Sequence, residues 1–380
     1  MELNKPKMVN KSQWLKLDIQ HFANGIERLN LETALTDREV IVYADNLAKP
    51  QNYLAELFFP PRETGELTID VVREGSRLPV MAQIGELGTQ TEYGSREGMT
   101  GQQISIPKIQ RGRGMDEKLV RLLLQSGLRQ NEFAEVRRTQ LDDVSYAVDA
   151  IRARKEWIAM QAISTGRVAY AEAGSPPISV DFGYTDEQKP VLTGTDVWAD
   201  VVNSRPLDDI QRWIQERGDK GITLGRAMAS QRIISLLMQN RSVRLAYHGD
   251  PSGSANPPQL NRTQLDALFE AQGFPRIVAY DVQARVENKE LVNNRASFST
   301  VRMMPQDRFV LLPDGPLGEY LWAQTTEEMV SSIETATKAE NGIYVFRKWD
   351  EHPIRLETIG ANLAFPAFGY NDSVVSATVL

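Results

Sequence analysis

The sequence has no cysteine and only three histidines, His21, His248 and His352. Without cysteine there is no disulfide, no thiolate metal site and no cysteine nucleophile. The three histidines lie far apart along the chain and lack the spacing of zinc ligands. We therefore predict no catalytic residue, no metal site and no bound cofactor.

Phosphate-binding and membrane-spanning patterns are also missing. The loop at residues 249–258 contains three prolines, which lack the backbone N–H groups that hold phosphate, and it does not match GxxxxGK[ST]. No stretch approaches the roughly 18 consecutive apolar residues of a membrane helix. The N-terminal residues lack the apolar core of a secretory signal. We therefore expect synthesis and assembly in a cytoplasm, without a membrane partner.

The charge of the chain argues against a nucleic-acid-binding protein. Acidic residues outnumber lysine plus arginine by 50 to 43, which gives a formal net charge of -7. This balance disfavours a protein whose main task is to bind nucleic-acid phosphates. The chain has 380 residues, of which 41% are hydrophobic. It is long enough to bury a large core, and we expect two or more lobes.

Glycine is concentrated between two predicted strands. Residues 67–72 and 104–109 alternate apolar and polar side chains, so each fits a half-buried strand. About thirty glycine-rich residues separate them, whereas ordinary hairpin loops have about 2 to 5. Two strands of about fifteen residues would extend ~50 Å. We predict a long hairpin that lies across a neighbouring subunit, with a floppy insertion as the alternative.

The first ~55 residues are predicted to form an arm that finds its partners outside its own domain. Their apolar side chains gather in one small cluster, formed by Trp14, Leu15, Leu17, Ile19 and Phe22. A partly disordered leader is the alternative, because chain termini are commonly mobile.

One long helix follows the hairpin. Residues 131–165 contain neither glycine nor proline, Asn131 is available as an N-cap, and Gly166 is placed to end the helix. At ~1.5 Å per residue this helix spans about 50 Å. A short helix at residues 116–124 precedes it. We expect one side to pack and the charged side, including Arg138, Arg152 and Lys155, to meet solvent or partners.

The remainder predicts an α+β lobe and strands that return to the long helix. Helices are predicted at residues 207–216, 230–239 and 262–271. Strands are predicted at residues 178–182, 275–280 and 308–312 and, near the C-terminus, at 342–349, 354–359 and 374–379.

Charged and aromatic residues of the hairpin and the long helix are candidates for contacts between subunits. These are Arg77, Glu86, Tyr93, Arg96, Arg111, Arg113, Arg138 and Arg152. The arginines could touch DNA or could pair with carboxylates of another subunit. The net acidity of the chain favours pairing between subunits.

The order of these parts, together with several sequence segments, resembles a known family. The segments are RARKEWIAMQAISTGRV (152–168), ISVDFGY (178–184), DVWADVVNSRPLDDIQRW (196–213), MASQRIISLLMQNRSVR (228–244), RIVAYD (276–281) and MPQDRFVLLPDGPLGEYLWA (304–323). They are similar to the lambda-type major capsid protein E family, which has the tailed-phage fold named after the Hong Kong 97 phage.

The resemblance implies an α+β fold with named parts. These are an N-terminal arm at residues 1–60, an extended E-loop hairpin at 61–115, a P-domain with a spine helix at 116–206, an A-domain at 207–340, and C-terminal strands returning to the P-domain at 341–380. His248 and Asp250 would lie in a loop of the A-domain near the capsomer axis.

The resemblance also implies a function and partners. Copies of the chain would form hexamers and pentamers of an icosahedral phage head in the virion, around double-stranded DNA that is contacted without sequence specificity. A scaffolding protein and a portal would take part in assembly, and a decoration protein is a further candidate partner. Because only ~55 residues precede the hairpin, we expect the scaffold to be a separate protein.

Two other functions are weighed against a phage head. The first is an encapsulin-like nanocompartment shell, which would enclose protein cargo; neighbouring terminase, portal and tail genes would distinguish the two. The second is an enzyme with an unrecognised carboxylate or serine site. Electron microscopy of the purified protein separates shell proteins from enzymes directly.

We predict that the assembled shell has no covalent crosslinks through the hairpin. The Hong Kong 97 phage joins its subunits by Lys–Asn isopeptide bonds whose lysine comes from the E-loop. Residues 74–107 of this chain contain no lysine, so that donor is missing. Particles boiled in detergent should therefore run as monomers on a gel. A ladder of covalent oligomers would contradict the prediction.

Overall fold

The computed structural model of the chain describes Glu39 and residues 42–44, 46–73, 100–126, 132–171, 177–249, 257–292, 295–330 and 340–380. The helices are α1 (Ala55–Phe58), α2 (Glu117–Ser126), α3 (Glu132–Thr165), α4 (Pro206–Gly218), α5 (Gln231–Gln239), α6 (Arg241–His248), α7 (Arg262–Ala271) and α8 (Thr326–Val330). The strands are β1 (Pro61–Glu63), β2 (Thr68–Arg73), β3 (Thr100–Ser105), β4 (Lys108–Met115), β5 (Arg167–Tyr170), β6 (Ile178–Asp181), β7 (Leu224–Ala229), β8 (Ile277–Ala279), β9 (Gln283–Val292), β10 (Arg295–Arg302), β11 (Arg308–Pro313), β12 (Glu319–Ala323), β13 (Tyr344–Glu351), β14 (Ile354–Ala367) and β15 (Val375–Thr378).

The long helix is confirmed as α3, which has 34 residues and is therefore ~51 Å long. The helix ends where it was predicted to end, because Gly166 has a φ of +66° and so takes the left-handed conformation that glycine adopts without strain. The proposed N-cap, Asn131, lies outside the described residues. We call α3 the spine helix.

The division of the spine helix into an apolar side and a charged side is only partly correct. Val144, Val148 and Ile151 are buried as expected, but Arg152 and Lys155 are only 7% exposed each. The expectation that these two charged side chains meet solvent or partners is therefore wrong. Each lies under other parts of the same chain, which sequence periodicity does not reveal.

A five-stranded sheet packs against the spine helix. Strand β14 is its centre, because it pairs antiparallel with β13, β4 and β12, and β12 pairs in turn with β1. The helix approaches this sheet closely at Gly360, where an added Cβ would lie 2.9 Å from Cδ1 of Ile151 and 3.1 Å from Cβ of Ala147. The sequence predicted the sheet less completely than the helix. It placed a strand at residues 354–359, whereas β14 continues to Ala367.

The predicted hairpin is present at its base. Strands β2 and β3 pair antiparallel from Thr68↔Ser105 to Arg73↔Thr100. The segment 104–109 was predicted as one strand, but the structure divides it between β3 and β4. The division falls at Pro107, which has no backbone N–H to donate to a ladder. Residues 74–99, which would form the distal part of the hairpin, lie outside the described residues.

The second lobe is built on a four-stranded sheet in the order β15-β11-β7-β8. Trp198, Trp213 and Phe309 form an aromatic cluster in its core, with ring centroids 5.0 to 6.4 Å apart. The predicted helix at 262–271 is confirmed as α7, and those at 207–216 and 230–239 as α4 and α5. Strand β15 pairs with β11 in this lobe, and the hydroxyl of Ser376 donates to the carbonyl of Ser164 on the spine helix. The last strand thus joins the lobe to the spine.

A second hairpin, which the sequence did not predict, projects between the two parts. Strands β9 and β10 pair with each other from Gln283↔Arg302 to Val292↔Arg295. In the described part of the chain they pair with no other strand. We call this element the β9–β10 ribbon.

We predict that the spine helix cannot end correctly without glycine at position 166. An added Cβ on Gly166 would lie 2.5 Å from Cγ of Tyr184, whose hydroxyl donates to the carbonyl of Ile163 at 3.0 Å. Gly166→Ala should lower the free energy of unfolding by about 3 kcal/mol or more, because of this overlap and the left-handed backbone. Urea unfolding of the unassembled chain measures the loss.

The matched control is Gly194→Ala. Gly194 has nearly the same φ, +67°, but nothing lies within 4 Å of an added Cβ. This variant should lose only about 1 kcal/mol. Equal losses at the two positions would show that the contact with Tyr184 is not what requires glycine.

Candidate assembly surfaces

A buried carboxylate joins three parts of the chain at the spine helix. Glu156 is only 1% exposed, and its side chain accepts hydrogen bonds from the backbone N–H of Leu54 at 2.9 Å and of Ala55 at 2.8 Å. It also accepts from the hydroxyl of Tyr280, just after β8 of the second lobe. Burial raises the pKa of Glu156, and the three hydrogen bonds partly offset this rise. Removing the carboxylate would leave these buried donors unpaired.

The described residues between Tyr43 and Ala55, which we call the leading segment, lie along the spine helix. The guanidinium of Arg152 donates to the carbonyl oxygens of Leu47 at 2.9 Å and Ala48 at 3.1 Å. Further towards the start of the helix, the hydroxyls of Tyr43 and Ser145 are 3.1 Å apart. This segment is therefore held by a series of contacts, and the residues that precede it start from a fixed place on the spine.

Arg152 was predicted to contact another subunit, but the structure gives it a role within its own chain. Its side chain is 7% exposed, and two of its guanidinium nitrogens donate to carbonyl oxygens of the leading segment. A side chain that is covered and bonded in this way offers little surface to a neighbour. We therefore withdraw Arg152 from the candidate contacts between subunits.

Lys155 is a buried cation beside this junction. Its Nζ lies 4.9 Å from the ring centroid of Tyr320 on β12, which is within the range of a cation–π contact. Burial lowers the pKa of Lys155 to about 8; Glu56 acts in the opposite direction, while Lys49 and Arg152 lower it further. Burying the ammonium thus costs free energy, as does burying the carboxylate of Glu156, whose hydrogen bonds offset only part of the cost.

The hairpin is anchored in the core at its base. Ile69 on β2 and Ile104 on β3 are register partners and are 4% and 5% exposed. Both belong to the hydrophobic cluster that contains Ile158 of the spine helix and Phe365 of β14. The chain therefore enters and leaves the E-loop through strands that the core holds in place.

Arg111 and Arg113 lie on β4, over the spine helix. The guanidinium of Arg113 lies 3.8 Å from the ring centroid of Tyr146 and 3.8 Å from the carboxylate of Asp143. Arg111 donates through Nε to the hydroxyl of Tyr146 at 3.0 Å and pairs with Glu287 on the β9–β10 ribbon. Arg113 remains 53% exposed. The structure brings these two predicted residues together with an aromatic ring and with the ribbon.

The other predicted contact residues are dispersed. Arg138 is exposed on the spine helix, eight residues before Tyr146. His248 is the last residue of α6, with its ring 5.0 Å from that of Tyr247. The remaining predictions, Arg77, Glu86, Tyr93, Arg96 and Asp250, fall outside the described residues.

Sequence reasoning missed the junction at Glu156 and the β9–β10 ribbon. Glu156 was noticed only as part of the resemblance, because a buried acidic residue within a helix has no local signature. Strand β9 alternates apolar and polar residues from Ala284 to Val286, and two asparagines, Asn293 and Asn294, separate it in sequence from β10. Alternation followed by asparagine is a hairpin signal, and it could have identified the ribbon.

Metal and membrane features were searched in the same residues. Within the described ranges, no group of three or more histidine, aspartate or glutamate side chains is placed to hold a metal ion. None of the helices described is both long and apolar enough to cross a membrane.

Comparison with solved structures shows which known proteins share the fold. A prophage protein of E. coli CFT073, named as a candidate capsid protein, matches with a TM-score of 0.54 and 15% identity over 91% of this chain and 99% of that chain. A phage-related protein from Bordetella bronchiseptica RB50 matches with a TM-score of 0.53 and 15% identity over 90% and 96% of the two chains. The mixed α+β fold of this chain is shared with these two proteins.

Comparison with protein families then gives the family. The model of phage major capsid protein E matches residues 36–379, so the chain belongs to this family. It is a major capsid protein that forms the capsid of a phage virion. A search of curated proteins gives no match.

We predict that Lys155 makes the unassembled chain more stable as pH rises. Its folded pKa, about 8, lies below the ordinary value of 10.5. Between these two pH values the unfolded chain holds a proton that the folded chain has released, so the free energy of unfolding increases with pH. The increase should be on the order of 1 to 3 kcal/mol.

Lys155→Met should remove this increase and should stabilise the chain at pH 7. Urea unfolding at pH 7 and pH 10 measures both effects. Lys348→Met, which removes a lysine that is 57% exposed, is the control and should leave the pH dependence unchanged. An equal slope in the Lys155→Met variant and the original chain would show that burial of this ammonium is not the cause.

Proposed function

We propose that copies of this chain assemble into the hexamers and pentamers of an icosahedral head around double-stranded DNA, and that the hairpin is the main clamp between neighbours. The observation that carries this proposal is the anchored base of the hairpin. The strands β2 and β3 are fixed in the core at Ile69 and Ile104, and they lead to 26 further residues, 74–99, which we call the E-loop segment. Extended as two strands of about 13 residues, this segment would reach ~43 Å, which is long enough to extend onto a neighbouring subunit.

The residues before Tyr43 are proposed to act as a second clamp. The leading segment is held on the spine helix by Arg152, Glu156 and Ser145, so an arm that precedes it would depart from a rigid support. The domain division given above, with an arm at residues 1–60 and an A-domain at 207–340, is part of the same proposal. Two strands are exceptions to it, because β12 belongs to the sheet on the spine helix and β15 belongs to the sheet of the second lobe. The A-domains of neighbouring copies would meet at the capsomer axis, near His248 and Asp250.

The remaining partners follow from membership of a capsid family. We propose that a scaffolding protein and a portal act during assembly, that a decoration protein is a candidate ligand of the finished shell, and that packaged DNA is contacted without sequence specificity. The net charge of -7 supports weak and dispersed contacts with DNA over a dedicated binding surface. The role of the chain is structural, and we propose no catalytic function.

Deletion of residues 76–98 tests the role of the E-loop segment. It leaves the β2–β3 ladder and the anchoring isoleucines in place, so the protein should fold with an unchanged circular dichroism spectrum. Because the clamp is missing, electron microscopy should show no closed shells under conditions where the full chain forms shells of uniform size.

A second variant separates the effect of the segment's length from the effect of its side chains. Replacing residues 76–98 by a Gly–Ser segment of the same length keeps the reach but removes the side chains, and it should also fail to form shells. Normal shells from the deletion variant would remove the role proposed for the hairpin. If the full chain itself forms no shells, the proposed assembly is wrong as a whole.

A further inference from the structure

The second lobe carries a groove between two of its helices. The groove has a volume of about 780 Å³, which lies within the roughly 300–1,000 Å³ that ligand-binding pockets occupy. Side chains spaced one turn apart on α4 and on α6 form its two walls, and the residues that follow α7 complete it. We call it the helix groove; its lining includes Leu207, Gln211, Ile214, Ser242, Ala246 and Phe274.

The floor of the helix groove is apolar and continues into the core of the second lobe. Leu207 belongs to the hydrophobic cluster that contains Trp213, and Ile214 and Phe274 are partly buried against this cluster. The exposed lining is polar and consists mainly of glutamine side chains. A binding partner with apolar side chains on one face and polar side chains on the other would therefore match the groove.

The length and charge of the helix groove narrow the choice of partner. Its wall on α4 extends from Leu207 to Gln215, which is ~12 Å, or about two helical turns. Asp208 is the only charged residue among the described residues that line the groove, and its side chain is 69% exposed. Because the lining contains no lysine or arginine, it is a poor match for DNA phosphates. A short helix without net negative charge fits better.

One segment near the N-terminus of the chain has this pattern. Leu15, Ile19 and Phe22 stand at positions i, i+4 and i+7, which is the spacing of anchors on one face of a two-turn helix that binds in a groove. Residues 11–23, which we call the 11–23 segment, contain two lysines and one aspartate and so carry a net charge of +1 with histidine neutral. The pattern and charge of this segment complement those of the helix groove.

The leading segment carries the chain away from its own second lobe. Going back from Ala55 to Tyr43, its contacts with the spine helix move from Glu156 to Ser145. The second lobe is joined to the other end of the helix, where Ser376 donates to Ser164, ~29 Å from Ser145 along the helix axis. The residues that precede Tyr43 therefore depart from the part of the spine helix that is remote from this attachment. A neighbouring copy is the better recipient of what they carry.

The intervening chain is long enough to reach a neighbour. Residues 23–42 separate Phe22 from Tyr43, and in an extended conformation they would span ~66 Å. We propose that the helix groove receives the 11–23 segment of a neighbouring copy of this chain, with the apolar side chains of the segment against Leu207, Ile214 and Phe274. This inference rests on the proposed function, because it names the surface that the arm grips.

The absence of cysteine allows a crosslinking test. One chain carries Gln211→Cys or Gln215→Cys in the groove, and a second chain carries Ser12→Cys or Ala23→Cys, which share the apolar face of the 11–23 segment. The two chains are mixed, assembled into shells and oxidised. At least one combination should give a disulfide-linked dimer with one chain of each kind, identified by mass spectrometry. Val202→Cys, at an exposed position (57%) of the second lobe outside the groove, replaces the groove cysteine in the control and should give no such dimer.

Three outcomes would overturn the inference. The first is shells without the mixed dimer, and the second is a mixed dimer that is equally abundant in the Val202→Cys control. The third comes from a chain that carries Gln211→Cys and Ser12→Cys together, where an internal disulfide in place of multimers would show that the segment covers its own second lobe. In each case shells still form, so the proposed function itself stands. If the original chain forms no shells, the proposed function fails first.

Filling the groove provides an independent readout. Ala246 is exposed, so Ala246→Trp should leave the fold intact, as circular dichroism would show, while it occupies the groove. Shell formation should then need an about tenfold higher protein concentration. Leu15→Ser combined with Phe22→Ser should cause a similar rise, because it removes the other side of the same contact.

Combining the groove and segment substitutions tests whether they act on one contact. The triple variant should need no more protein than either parent variant, since a contact that is already lost cannot be lost again. Ala199→Trp, which enlarges an exposed alanine of the second lobe outside the groove, is the control and should have no effect. Additive effects in the triple variant, or an equal effect of Ala199→Trp, would contradict the pairing of the 11–23 segment with the groove.

Discussion

The structure depends on a single carboxylate that is kept out of water. Glu156 is buried in the middle of the assembled subunit and accepts hydrogen bonds from the leading segment and from the second lobe. Because all of its partners are donors, its negative charge is stabilised without a cation, although burial still raises its pKa. These contacts hold the leading segment, the spine helix and the second lobe to one another. Arg152 extends the same arrangement by holding the carbonyl groups of the leading segment.

A subunit that joins many copies of itself needs both rigid and reaching parts. The rigid part here is the spine helix with the sheet centred on β14, and Gly360 allows the two to approach closely. The parts that are proposed to reach neighbours would start from anchored positions, Ile69 and Ile104 for the hairpin and Tyr43 for the leading segment. Anchoring reduces the conformational entropy that is lost when a neighbour binds. Weak contacts can then add up to a stable shell when they are repeated over many subunits.

The sequence predicted the parts of the fold that have a local cause. The spine helix followed from 34 residues without glycine or proline, and Gly166 marked its end. The helices α4, α5 and α7 were predicted from their local sequence patterns, and in the structure Ser230 and Asn261 cap α5 and α7 by accepting from backbone N–H groups. The burial of Arg152, Lys155 and Glu156 could not be predicted in this way. Their partners, such as Leu47 and Tyr280, lie about a hundred residues away in the sequence.

The candidate contact residues also combine features with a local cause and features that depend on distant parts of the chain. Arg111 and Arg113 were identified from their sequence position, but the aromatic ring of Tyr146 and the ribbon residue Glu287 that surround them come from distant segments. The family resemblance supplied the order of the parts and the class of protein. It did not supply the β9–β10 ribbon, whose strands carry a weaker pattern than the hairpin at residues 67–109.

The direct passage from β3 into β4 has a mechanical consequence. Two residues separate the end of β3 from the start of β4, which is paired with β14 over eight consecutive positions, Lys108↔Leu363 to Met115↔Leu356. If a neighbour grips the hairpin as proposed, its pull passes along the chain into β4, and part of that pull acts along the strand axis. In that direction the ladder bonds are loaded together in shear, and none can be opened singly from the end. Tension between subunits, such as internal pressure would create, is carried into the sheet and from there to the spine helix.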